Sequence, residues 1–387
     1  MGHYLPGWKG GGQIATGAAA IEQLGGDFDF RVLCLDRDLG DGAPYAGIAR
    51  GTWRRVGNAE ACYLRERHLN AWWWHPAARG LAWDLIWLHG LFKTSTITTL
   101  MCRRIGGLSA APAVIVPHGE LSAGALSIKP RKKAAFLRAA NLAGLYDGLW
   151  WQATSPYEAD EIAKAFPRVR TNRIRAVRNP ALRAPALAAG KAVSPRPKAP
   201  GSVRMVFLSR VSPKKNLDMA LRLLSQLGGD VVFDIFGPME DEAYWAECQA
   251  IANRLPARIR VAYRGPIAPA EVLETLSAYH ALLLPTRGEN FGHVILEALQ
   301  AGCLPIISDA TPWRNLERLG VGWDLPLSEA RLFVAALERI VAMNGAAFAA
   351  WSDAASAYGQ AVANDPAPAQ SLRAMFNDAI DSGPQRA

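Results

Sequence analysis

Two carboxylates in the C-terminal half of the chain have the residue types and the spacing for ligand chemistry. They lie in residues 281–313, which read ALLLPTRGENFGHVILEALQAGCLPIISDATPW. The apolar run Ala281–Leu284 predicts a buried strand, and a helix is predicted to open around residues 290–292 after a polar loop. Glu289 then precedes the helix, and Glu297 lies about two turns inside it, roughly 9–10 Å along the axis at ~1.5 Å per residue.

This spacing is close to the span of the diphosphate and ribose of a nucleotide. The free N–H groups and the positive dipole end expected at Asn290, Phe291 and Gly292 suit a phosphate. Gly292 also leaves room for close backbone approach to a ligand. We therefore expect Glu289 to accept hydrogen bonds from sugar hydroxyls and Glu297 to accept them from ribose hydroxyls.

The same segment resembles the signature of glycosyltransferase family 4, the group 1 glycosyltransferases. The two glutamates match the E-x7-E motif of that family, and ENFG, LEAL-x-AG and the trailing TPW are similar to a subgroup that builds bacterial surface polysaccharides. The resemblance extends from Tyr4 to about Phe376, and its specific motifs lie within residues 204–313. It implies an α/β protein with the GT-B fold, in which two Rossmann-like domains of doubly wound parallel sheets face an interdomain cleft.

The resemblance also implies an activity. In that family a hexosyl group passes from a nucleoside diphosphate sugar to a saccharide acceptor, free or lipid-linked, with retention at the anomeric carbon. The expected substrate is a UDP- or GDP-sugar, and neither a metal nor another cofactor is expected. The process would be cell-surface polysaccharide synthesis, including lipopolysaccharide; the donor base, the sugar, the acceptor and the linkage stay open.

A second constellation lies in the segment MVFLSRVSPKKNLDMAL. Arg210 directly follows a predicted strand, and Lys215 comes five residues later, before a predicted helix. An arginine can fork onto phosphate oxygens and a lysine adds a point charge, so both would stabilise a diphosphate leaving group. The Arg-x4-Lys spacing matches a pair in the family; Lys214 is expected to be solvated. Asn216 stands where many relatives have glycine, a mild change because asparagine tolerates left-handed backbone conformations.

Two histidines follow apolar runs in the first half. His118, in VIVPHGELSAGAL, comes at a predicted strand end before Gly119, and such ends carry the ligands of open α/β sheets. The resemblance maps His118 onto a histidine that contacts the donor sugar near the reacting centre. His89, in IWLHGLF, has a similar position and is the competing candidate, and a purely structural role is the alternative for either histidine.

Glycine-containing loops complete the predicted donor site. Gly11 and Gly12 belong to a glycine cluster before a helix predicted to start near Ile14, where backbone amides can approach a phosphate. In the family the equivalent loop faces the donor diphosphate. Gly237 in DIFGPMED and Arg264 in YRGPI lie in loops that approach the nucleotide base in the family; plain strand-to-helix turns are the alternative.

The pair Asp36-x-Asp38 imitates a metal-binding motif of another transferase fold. It ends a predicted strand before a Gly/Asp-rich loop and lacks the clustered ligands of a divalent cation site. We therefore expect no metal there. The five cysteines are scattered without a C-x-x-C pair, which argues against a disulfide framework and favours a reducing cytoplasm.

Composition indicates an ordered protein with anionic partners. The chain has 387 residues, enough for two domains, with 50% hydrophobic and 20% charged residues. A formal net charge of +9 implies nucleotide phosphates, nucleic acid or acidic lipid. No apolar run approaches the ~20 residues of a membrane span, and no signal peptide is expected.

The order of apolar runs predicts two α/β halves. We expect a first domain at 1–182, a linker at 183–201 rich in Ala, Pro and Lys, a nucleotide-sugar domain at 202–358, and a C-terminal helix at 359–387 that crosses back to the first domain. The predicted strands are Arg31–Leu35, Leu85–Leu88, Ala113–Val116, Gly148–Ala153, Arg204–Leu208, Val231–Phe236, Arg260–Tyr263, Ala281–Leu284 and Leu304–Ile307.

The N-terminus departs from this pattern. A doubly wound domain normally begins with a buried strand, but MGHYLPGWKGGG has almost nothing before its glycines. Related sequences have an apolar strand there, as the resemblance implies. Either the start site is misplaced downstream or the first domain lacks its central strand.

A basic segment predicts contact with a membrane surface. IKPRKKAAFLRAANLAGLYDGLWW, residues 128–151, combines five cations with apolar residues, and such an amphipathic helix can lie on the anionic inner face of the cytoplasmic membrane. Trp72, Trp73 and Trp74 would add interfacial anchoring. The alternative is an ordinary helix with one solvated basic face and one buried apolar face.

Three other functions compete with the transferase. Within enzymes, a GT-B epimerase or phosphorylase is the nearest rival. A basic nucleic-acid-binding protein fits the charge, but the chain lacks zinc spacing, a reading helix and aromatics interleaved on a basic sheet, so no specific nucleic acid is expected. A non-catalytic scaffold of the same fold, retained for membrane or complex assembly, is the third.

Overall fold

The computed structural model describes residues 1–108, 111–127, 129–181 and 197–383. The chain folds into two compact units. Unit 1 comprises Met1–Leu182 together with Pro366–Ala387, and unit 2 comprises Arg183–Asp365.

The predicted linker is largely outside the described residues, since 182–196, including Pro185 and Pro195, are not described. Its last residues pack into unit 2. Lys198 is buried and its Nζ donates to the carbonyl oxygens of Val341 (3.1 Å) and Met343 (2.8 Å). These bonds attach the start of unit 2 to the end of one of its own helices.

Unit 1 contains short strands and helices that do not alternate regularly along the chain. Its strands are β1 (Phe30–Leu35), β2 (Trp53–Val56), β3 (Ala59–Leu64), β4 (Ile86–His89), β5 (Ala113–Val116), β6 (Trp150–Ala153) and β7 (Ile174–Ala176). Its helices before unit 2 are α1 (Gly12–Leu24), α2 (Glu66–Leu69), α3 (Thr94–Arg104), α4 (Ala123–Leu126), α5 (Pro130–Leu142) and α6 (Pro156–Ala165), with 3-10 turns at Trp72–Trp74, Pro76–Ala78 and Thr171–Arg173.

The strands of unit 1 form two sheets rather than the one continuous parallel sheet that was predicted. The first has the order β1-β3-β2 and the second has the order β4-β5-β6-β7. β2 and β3 form an antiparallel hairpin, while every other pairing is parallel. The sequence prediction missed this hairpin and β7.

β1 and β4 are edge strands of the two sheets in unit 1. A cavity of about 550 Å³ is lined by residues of both strands. Beside β1, the backbone nitrogen of Met1 donates to Leu33 O and Leu35 N donates to Gly2 O, both at 2.9 Å. The first residues of the chain therefore run along the carboxyl end of β1.

Unit 2 is built from longer alternating strands and helices. Its strands are β8 (Ser202–Leu208), β9 (Asp230–Phe236), β10 (Ile259–Gly265), β11 (Ala281–Leu284), β12 (Leu304–Ser308) and β13 (Trp323–Leu325). Its helices are α7 (Leu217–Leu224), α8 (Glu242–Ala252), α9 (Pro269–Ser277), α10 (His293–Gln300), α11 (Ala330–Ala342) and α12 (Gly345–Asn364), with a 3-10 turn at Pro213–Lys215.

These strands form one parallel sheet in the order β10-β9-β8-β11-β12-β13. This is the Rossmann strand order. The first three strands are added towards one edge of the sheet, and the next three are added towards the other edge, so the strand order reverses between β8 and β11. β11 and β12 are buried at every position, as expected for strands covered by helices on both faces. All five strands predicted for this half are present, and only β13 was missed.

The last helix, α13 (Ala367–Asp381), belongs to unit 1. Its residues Leu372, Met375 and Phe376 pack in one apolar cluster with Ala20 of α1 and Val114 of β5. The chain divides at Pro366, whereas residue 359, the expected start of the crossing segment, lies inside α12.

Among the described residues, no single helix is both long and apolar enough to span a membrane. The segments Ala330–Ala342 and Gly345–Asp381 meet the length and composition criteria only as a pair, across a bend of 119°.

Candidate functional site

The strand order of unit 2 brings two predicted loops together. β8 and β11 are neighbours, and both are parallel, so the loops at their carboxyl ends emerge side by side. One loop carries Arg210 and Lys215, and the other carries Glu289. Ligands of open α/β sheets bind where the strand order reverses, which in unit 2 is this pair of strands.

Asn216 joins the two loops. Its φ of 62° and ψ of 39° are left-handed, a conformation that asparagine tolerates. Its Nδ2 donates to Pro285 O at 2.9 Å, and its Oδ1 accepts from the guanidinium of Arg287 at 3.2 Å. Arg287 N in turn donates to Lys214 O at 2.8 Å. A glycine at position 216 would supply the backbone conformation without either side-chain bond.

Lys215 and Glu289 form a largely buried ion pair. Lys215 Nζ donates to Glu289 Oε1, and the two side chains are only 10% and 14% exposed. Lys214, one residue earlier, is exposed, as predicted. From the sequence, Lys215 was expected to bind phosphate and Glu289 to bind sugar, and the ion pair between them was not predicted. It could have been inferred from their opposite charges, because they follow two strands that are adjacent in a Rossmann order.

Arg210 pairs with an acidic residue, Glu240. Its Nη1 donates to Glu240 Oε1 at 2.7 Å, and the two side chains are 40% and 46% exposed. Although Lys214 is exposed overall, the pKa of its ammonium group is lowered, first by partial loss of surrounding water and then by Lys215 and Arg210, against opposing contributions from Glu289 and Glu240. The five charges therefore surround one loop, with Arg210 at its solvent side.

The helix after the ENFG segment begins later than predicted. α10 starts at His293, and Gly292 is its N-cap with a φ of 76°. Glu297 consequently lies about one turn inside the helix, roughly 6 Å from its first residue at ~1.5 Å per residue, rather than two turns. Glu297 is half-buried, and desolvation of its carboxyl group raises its pKa to about 7.

The loop before α10 is held by the tryptophan of the TPW segment. Trp313 Nε1 donates to Phe291 O at 2.5 Å, and the two rings pack with centroids 5.7 Å apart. Phe291 is buried, so its ring fixes the loop. Only the backbone of Phe291 can therefore contact a ligand. Asn290 Nδ2 is buried and has no hydrogen-bond partner among the described residues, so this amide is a donor available to a ligand.

Gly237 and Arg264 lie at the ends of β9 and β10. A Cβ on Gly237 would lie 1.9 Å from Ser209 O, so glycine is required there by the close approach of two backbones. Arg264 Nε donates to Asp234 Oδ1 at 2.8 Å, and Tyr279 donates to the other oxygen of that carboxylate at 2.7 Å. The close packing of two backbones therefore explains why position 237 is glycine. The bond to Asp234 fixes the orientation of the half-exposed Arg264 side chain at the strand end.

In unit 1 the glycine loop precedes α1. Gly11 is the N-cap with a φ of 62°, and Gly12 is the first helical residue, so the helix starts before Ile14. No atom lies within 4 Å of a Cβ built on Gly11, so the loop is open on that side. Asp38 anchors the loop, since its Oδ2 accepts from Trp8 N (2.7 Å) and Lys9 N (3.0 Å).

The two strand-end histidines of unit 1 are in direct contact. β4 and β5 are parallel neighbours, and His89 Nδ1 lies 3.0 Å from His118 Nε2. His89 is buried, and burial, followed by His118, lowers its pKa well below the ordinary value. His118 is half-buried and has a φ of 55°. The sequence treated the two as competitors, whereas the sheet makes them a pair.

The Asp36-x-Asp38 carboxylates are satisfied by protein donors. Asp36 accepts from Arg37 and Arg50, which lower its pKa against the effect of burial. In the described parts of the chain, no group of three or more His, Cys, Asp or Glu residues has the arrangement of a metal site. The five cysteines are buried free thiols, in line with the prediction of no disulfide framework.

Comparison with known proteins found a family model that matches part of this chain. Residues 193–355 match the model described as Glycosyl transferases group 1. The resemblance read from the ENFG segment is thereby confirmed. No curated protein sequence matches the chain.

Solved structures are similar over most of the chain. Sucrose-phosphate synthase from Thermosynechococcus elongatus is 16% identical over 96% of this chain and 94% of its own, with a TM-score of 0.69. WaaG, a glycosyltransferase involved in lipopolysaccharide biosynthesis, is 14% identical over 99% of both chains, with a TM-score of 0.67. HepE from Anabaena in complex with UDP and glucose is 19% identical over 76% of this chain and 78% of its own, with a TM-score of 0.57. The fold is GT-B, α/β with two Rossmann-like domains, as predicted.

Proposed function

We propose that this protein is a retaining glycosyltransferase that moves a hexosyl group from a UDP- or GDP-sugar to a saccharide acceptor. The observation that carries the proposal is the convergence of Lys215, Glu289 and the start of α10 at the switch point of the unit 2 sheet. Positive charge and free backbone N–H groups at one strand-order reversal suit a diphosphate. HepE was crystallised with UDP and glucose, which supports a nucleotide-sugar donor.

The roles follow from charge and burial. Arg210 and Lys215 stabilise the diphosphate as negative charge develops on the leaving group. Binding of the diphosphate draws Lys215 away from Glu289, and the freed Glu289 carboxylate accepts hydrogen bonds from sugar hydroxyls. Glu297 accepts from the ribose, while Gly237 and Arg264 border the base. In unit 1, His118 contacts the donor sugar and the loop at Gly11 and Gly12 faces phosphate.

We further propose that the acceptor belongs to cell-surface polysaccharide synthesis. WaaG is involved in lipopolysaccharide biosynthesis, and WaaB is a lipopolysaccharide outer core galactosyltransferase; both have this fold. Such acceptors include lipid-linked saccharides, so we propose that the enzyme acts at the inner face of the cytoplasmic membrane.

The proposed membrane surface is smaller than the sequence indicated. α5 ends at Leu142, and Trp150 and Trp151 are buried in β6 instead of extending an amphipathic helix. Lys133 donates to Ala125 O and is thereby used within the protein. What supports membrane contact is a set of exposed groups, Lys129, Arg131, Lys132, Arg138, Trp74 (71% exposed) and Leu142 (81% exposed).

Ligand-dependent stability gives the first test of the donor. A ligand that binds only the folded state raises the melting temperature, so UDP, GDP and their sugars are compared at equal concentration. We expect one nucleotide series to raise it and random oligonucleotides to leave it unchanged. A shift with oligonucleotides and none with nucleotides would contradict the proposal and favour nucleic-acid binding.

Product analysis tests the reaction itself. With the stabilising donor, we expect release of nucleoside diphosphate that depends on a saccharide acceptor, and a product whose anomeric configuration by NMR equals that of the donor. Arg210→Ala should fold and lose transfer, while Arg222→Ala, an exposed arginine paired with Asp218, should keep it. Interconversion of the donor sugar without an acceptor would instead identify an epimerase.

Vesicle binding tests the membrane proposal. Each cation near an anionic surface contributes about 1 kcal/mol, so replacing Lys129, Arg131 and Lys132 by alanine should release the protein from phosphatidylglycerol vesicles. The matched control replaces the exposed Lys164, Arg168 and Arg170 of the same unit. Equal binding by both triple variants would overturn the assignment of this surface.

A further inference from the structure

Glu240 is a charged residue beside Arg210 that the sequence analysis did not single out. It lies in the loop between β9, which ends at Phe236, and α8, which starts at Glu242. Its Oε1 accepts a hydrogen bond from Arg210 Nη1 at 2.7 Å, and the side chains of Arg210 and Glu240 are 40% and 46% exposed. An ion pair this exposed adds little to the stability of a protein, so the fold does not depend on the contact.

Backbone hydrogen bonds bring the two residues together. Beyond the ends of β8 and β9, Val211 and Met239 pair as an isolated parallel bridge. Val211 N donates to Pro238 O at 2.9 Å, and Glu240 N donates to Val211 O at 3.2 Å. Arg210 precedes this bridge in one loop and Glu240 follows it in the other. Their backbones are therefore held next to each other whichever rotamers the side chains adopt.

The contact leaves most of the Arg210 guanidinium group open to a ligand. An arginine side chain has five N–H donors in a planar fork, and the bond to Glu240 uses one of them. In the described parts of the chain, this guanidinium group donates to Glu240 alone. Holding one Nη restricts the rotation of the planar group, so the other donors keep one orientation for phosphate oxygens.

Repulsion within the loop explains why Arg210 needs an anchor. Lys214 and Lys215 follow it in the same loop, and Lys215 pairs with Glu289. The pKa of Lys214 is lowered by desolvation first and then by Lys215 and Arg210. Glu289 and Glu240 oppose this change and raise it, so both carboxylates act on the same group of cations. Without Glu240, like charges repel the exposed arginine towards solvent.

We propose that Glu240 is a positioning residue that holds the Arg210 guanidinium group in the orientation that meets the diphosphate leaving group. This inference rests on the proposed role of Arg210 in transfer. Glu240 also weakens the attraction of the site for a phosphate, because its own charge is negative. Removing it therefore has two effects of opposite sign: the diphosphate binds at least as tightly, and the chemical step becomes slower.

Kinetics and nucleotide binding of E240A and E240Q test these opposite signs. In E240A we expect kcat to fall about tenfold or more, because a misplaced cation stabilises the leaving group poorly. The Kd for UDP or GDP, whichever stabilises the wild-type protein, should stay equal or fall. E240Q keeps an oxygen that accepts from Arg210 Nη1 without the charge, so kcat should stay within about threefold of wild type. The melting temperature of both variants should stay near wild type.

E242A is the matched control. Glu242 is an exposed glutamate at the first position of α8, and its loss removes the same charge while the contact between Arg210 and Glu240 stays. We expect wild-type kcat in this variant. An equal loss of kcat in E240A and E242A would trace the effect to net charge and overturn the proposal. A weaker binding of the nucleotide by E240A would overturn it as well, since that result indicates general damage to the site.

Nitrogen-15 NMR of arginine-labelled protein tests the positioning without any activity measurement. The Arg210 Nε signal is identified by its loss in R210K. We expect this group to be ordered on the picosecond-to-nanosecond timescale in wild type and in E240Q, and mobile in E240A. An Arg210 signal that is equally mobile in wild type and in E240A would contradict the proposal.

The outcomes separate this inference from the proposed function. If Arg210 loses its order in E240A but neither wild type nor any variant transfers a sugar, the positioning contact stands and the proposed function fails. If wild type transfers a sugar and E240A matches its kcat, the proposed function stands and this inference fails.

Discussion

The sheets of the two units differ in continuity, and the difference decides how each candidate site is built. Unit 2 has one six-stranded parallel sheet, whereas the described strands of unit 1 form a three-stranded and a four-stranded sheet. In unit 2, opposite charges meet across a single pair of adjacent strands, β8 and β11. In unit 1, two imidazoles meet across β4 and β5.

The two sites also differ in how their loops are fixed. In unit 2, backbone contacts and the left-handed Asn216 connect the two loops directly. In unit 1, carboxylates fix the loops: Asp38 holds the glycine loop, and Glu120 holds the loop after β4. Unit 2 therefore resists substitutions through backbone packing, while unit 1 depends on a few side-chain acceptors.

The largest effect is expected from removing the unit 2 ion pair. A single change would leave one buried charge without its partner, so K215M/E289Q replaces both. We expect transfer to fall by about 10²–10³ while the melting temperature stays near wild type, because the loss lies in leaving-group stabilisation. Lys214→Ala is the control and should stay within a few-fold of wild type in turnover. Wild-type transfer by the double variant would show that the ion pair in unit 2 is not needed for the reaction.

Gly237→Ala tests whether backbone packing fixes the unit 2 loops. The added Cβ would meet Ser209 O at 1.9 Å, and the φ of 132° disfavours a side chain as well. We expect the free energy of unfolding in urea to fall by about 3 kcal/mol or more. Gly265→Ala has a φ of 82° but open space around its Cβ, so about 1 kcal/mol is expected. Equal losses would show that strain alone, and not the close approach, sets the requirement.

Glu297→Gln tests the desolvated carboxyl group at the start of α10. The folded pKa of about 7 exceeds the unfolded value of 4.5, so folding is most favoured below pH 4.5 and loses stability as pH rises to 7. We expect the glutamine variant to exceed wild type by up to about 3 kcal/mol in the free energy of unfolding at pH 8, and by nothing at pH 4.5. The same variant should bind the nucleotide more weakly. A constant difference between the two pH values would contradict a desolvated ionisable group.

The smallest effect is expected from Asp38→Ala in unit 1. It removes the acceptor for Trp8 N and Lys9 N, which should lower the free energy of unfolding by about 1–2 kcal/mol. Hydrogen exchange at those two amides should accelerate, while exchange in unit 2 stays constant. Asp41→Ala, which loses only an exposed pair with Lys9, is the control. Unchanged exchange at Trp8 and Lys9 would mean that packing alone holds the glycine loop.

Sequence reasoning succeeded where the signal is local. Ala113–Val116 and Ala281–Leu284 were predicted with their observed bounds, because short apolar runs between turn residues specify buried parallel strands. Asn216 in place of glycine was expected to be a mild change because asparagine tolerates left-handed conformations, and its backbone is left-handed. The hairpin of β2 and β3 was missed because WRRV is mostly exposed and lacks an apolar run.

Reasoning from the sequence failed where a helix end or a long-range contact was required. The start of α10 was placed too early, because Gly292 serves as a left-handed N-cap instead of a helical residue. Trp150 and Trp151 were counted both in the predicted strand Gly148–Ala153 and in the basic amphipathic segment. The strand is confirmed, and both side chains fill the core from β6, so they do not belong to an amphipathic surface helix. Periodicity cannot separate these outcomes when an apolar run is short.

The sequence by itself determined most of the strands, which residues carry charge at strand ends, and the family signature around Glu289 and Glu297. Only the tertiary structure decided that Lys215 pairs with Glu289 over 74 residues and that His89 contacts His118. The physical reason is that strand propensity depends on a few neighbouring residues. Strand order depends on how all helices and strands bury their apolar faces together, and that order sets which strand ends meet.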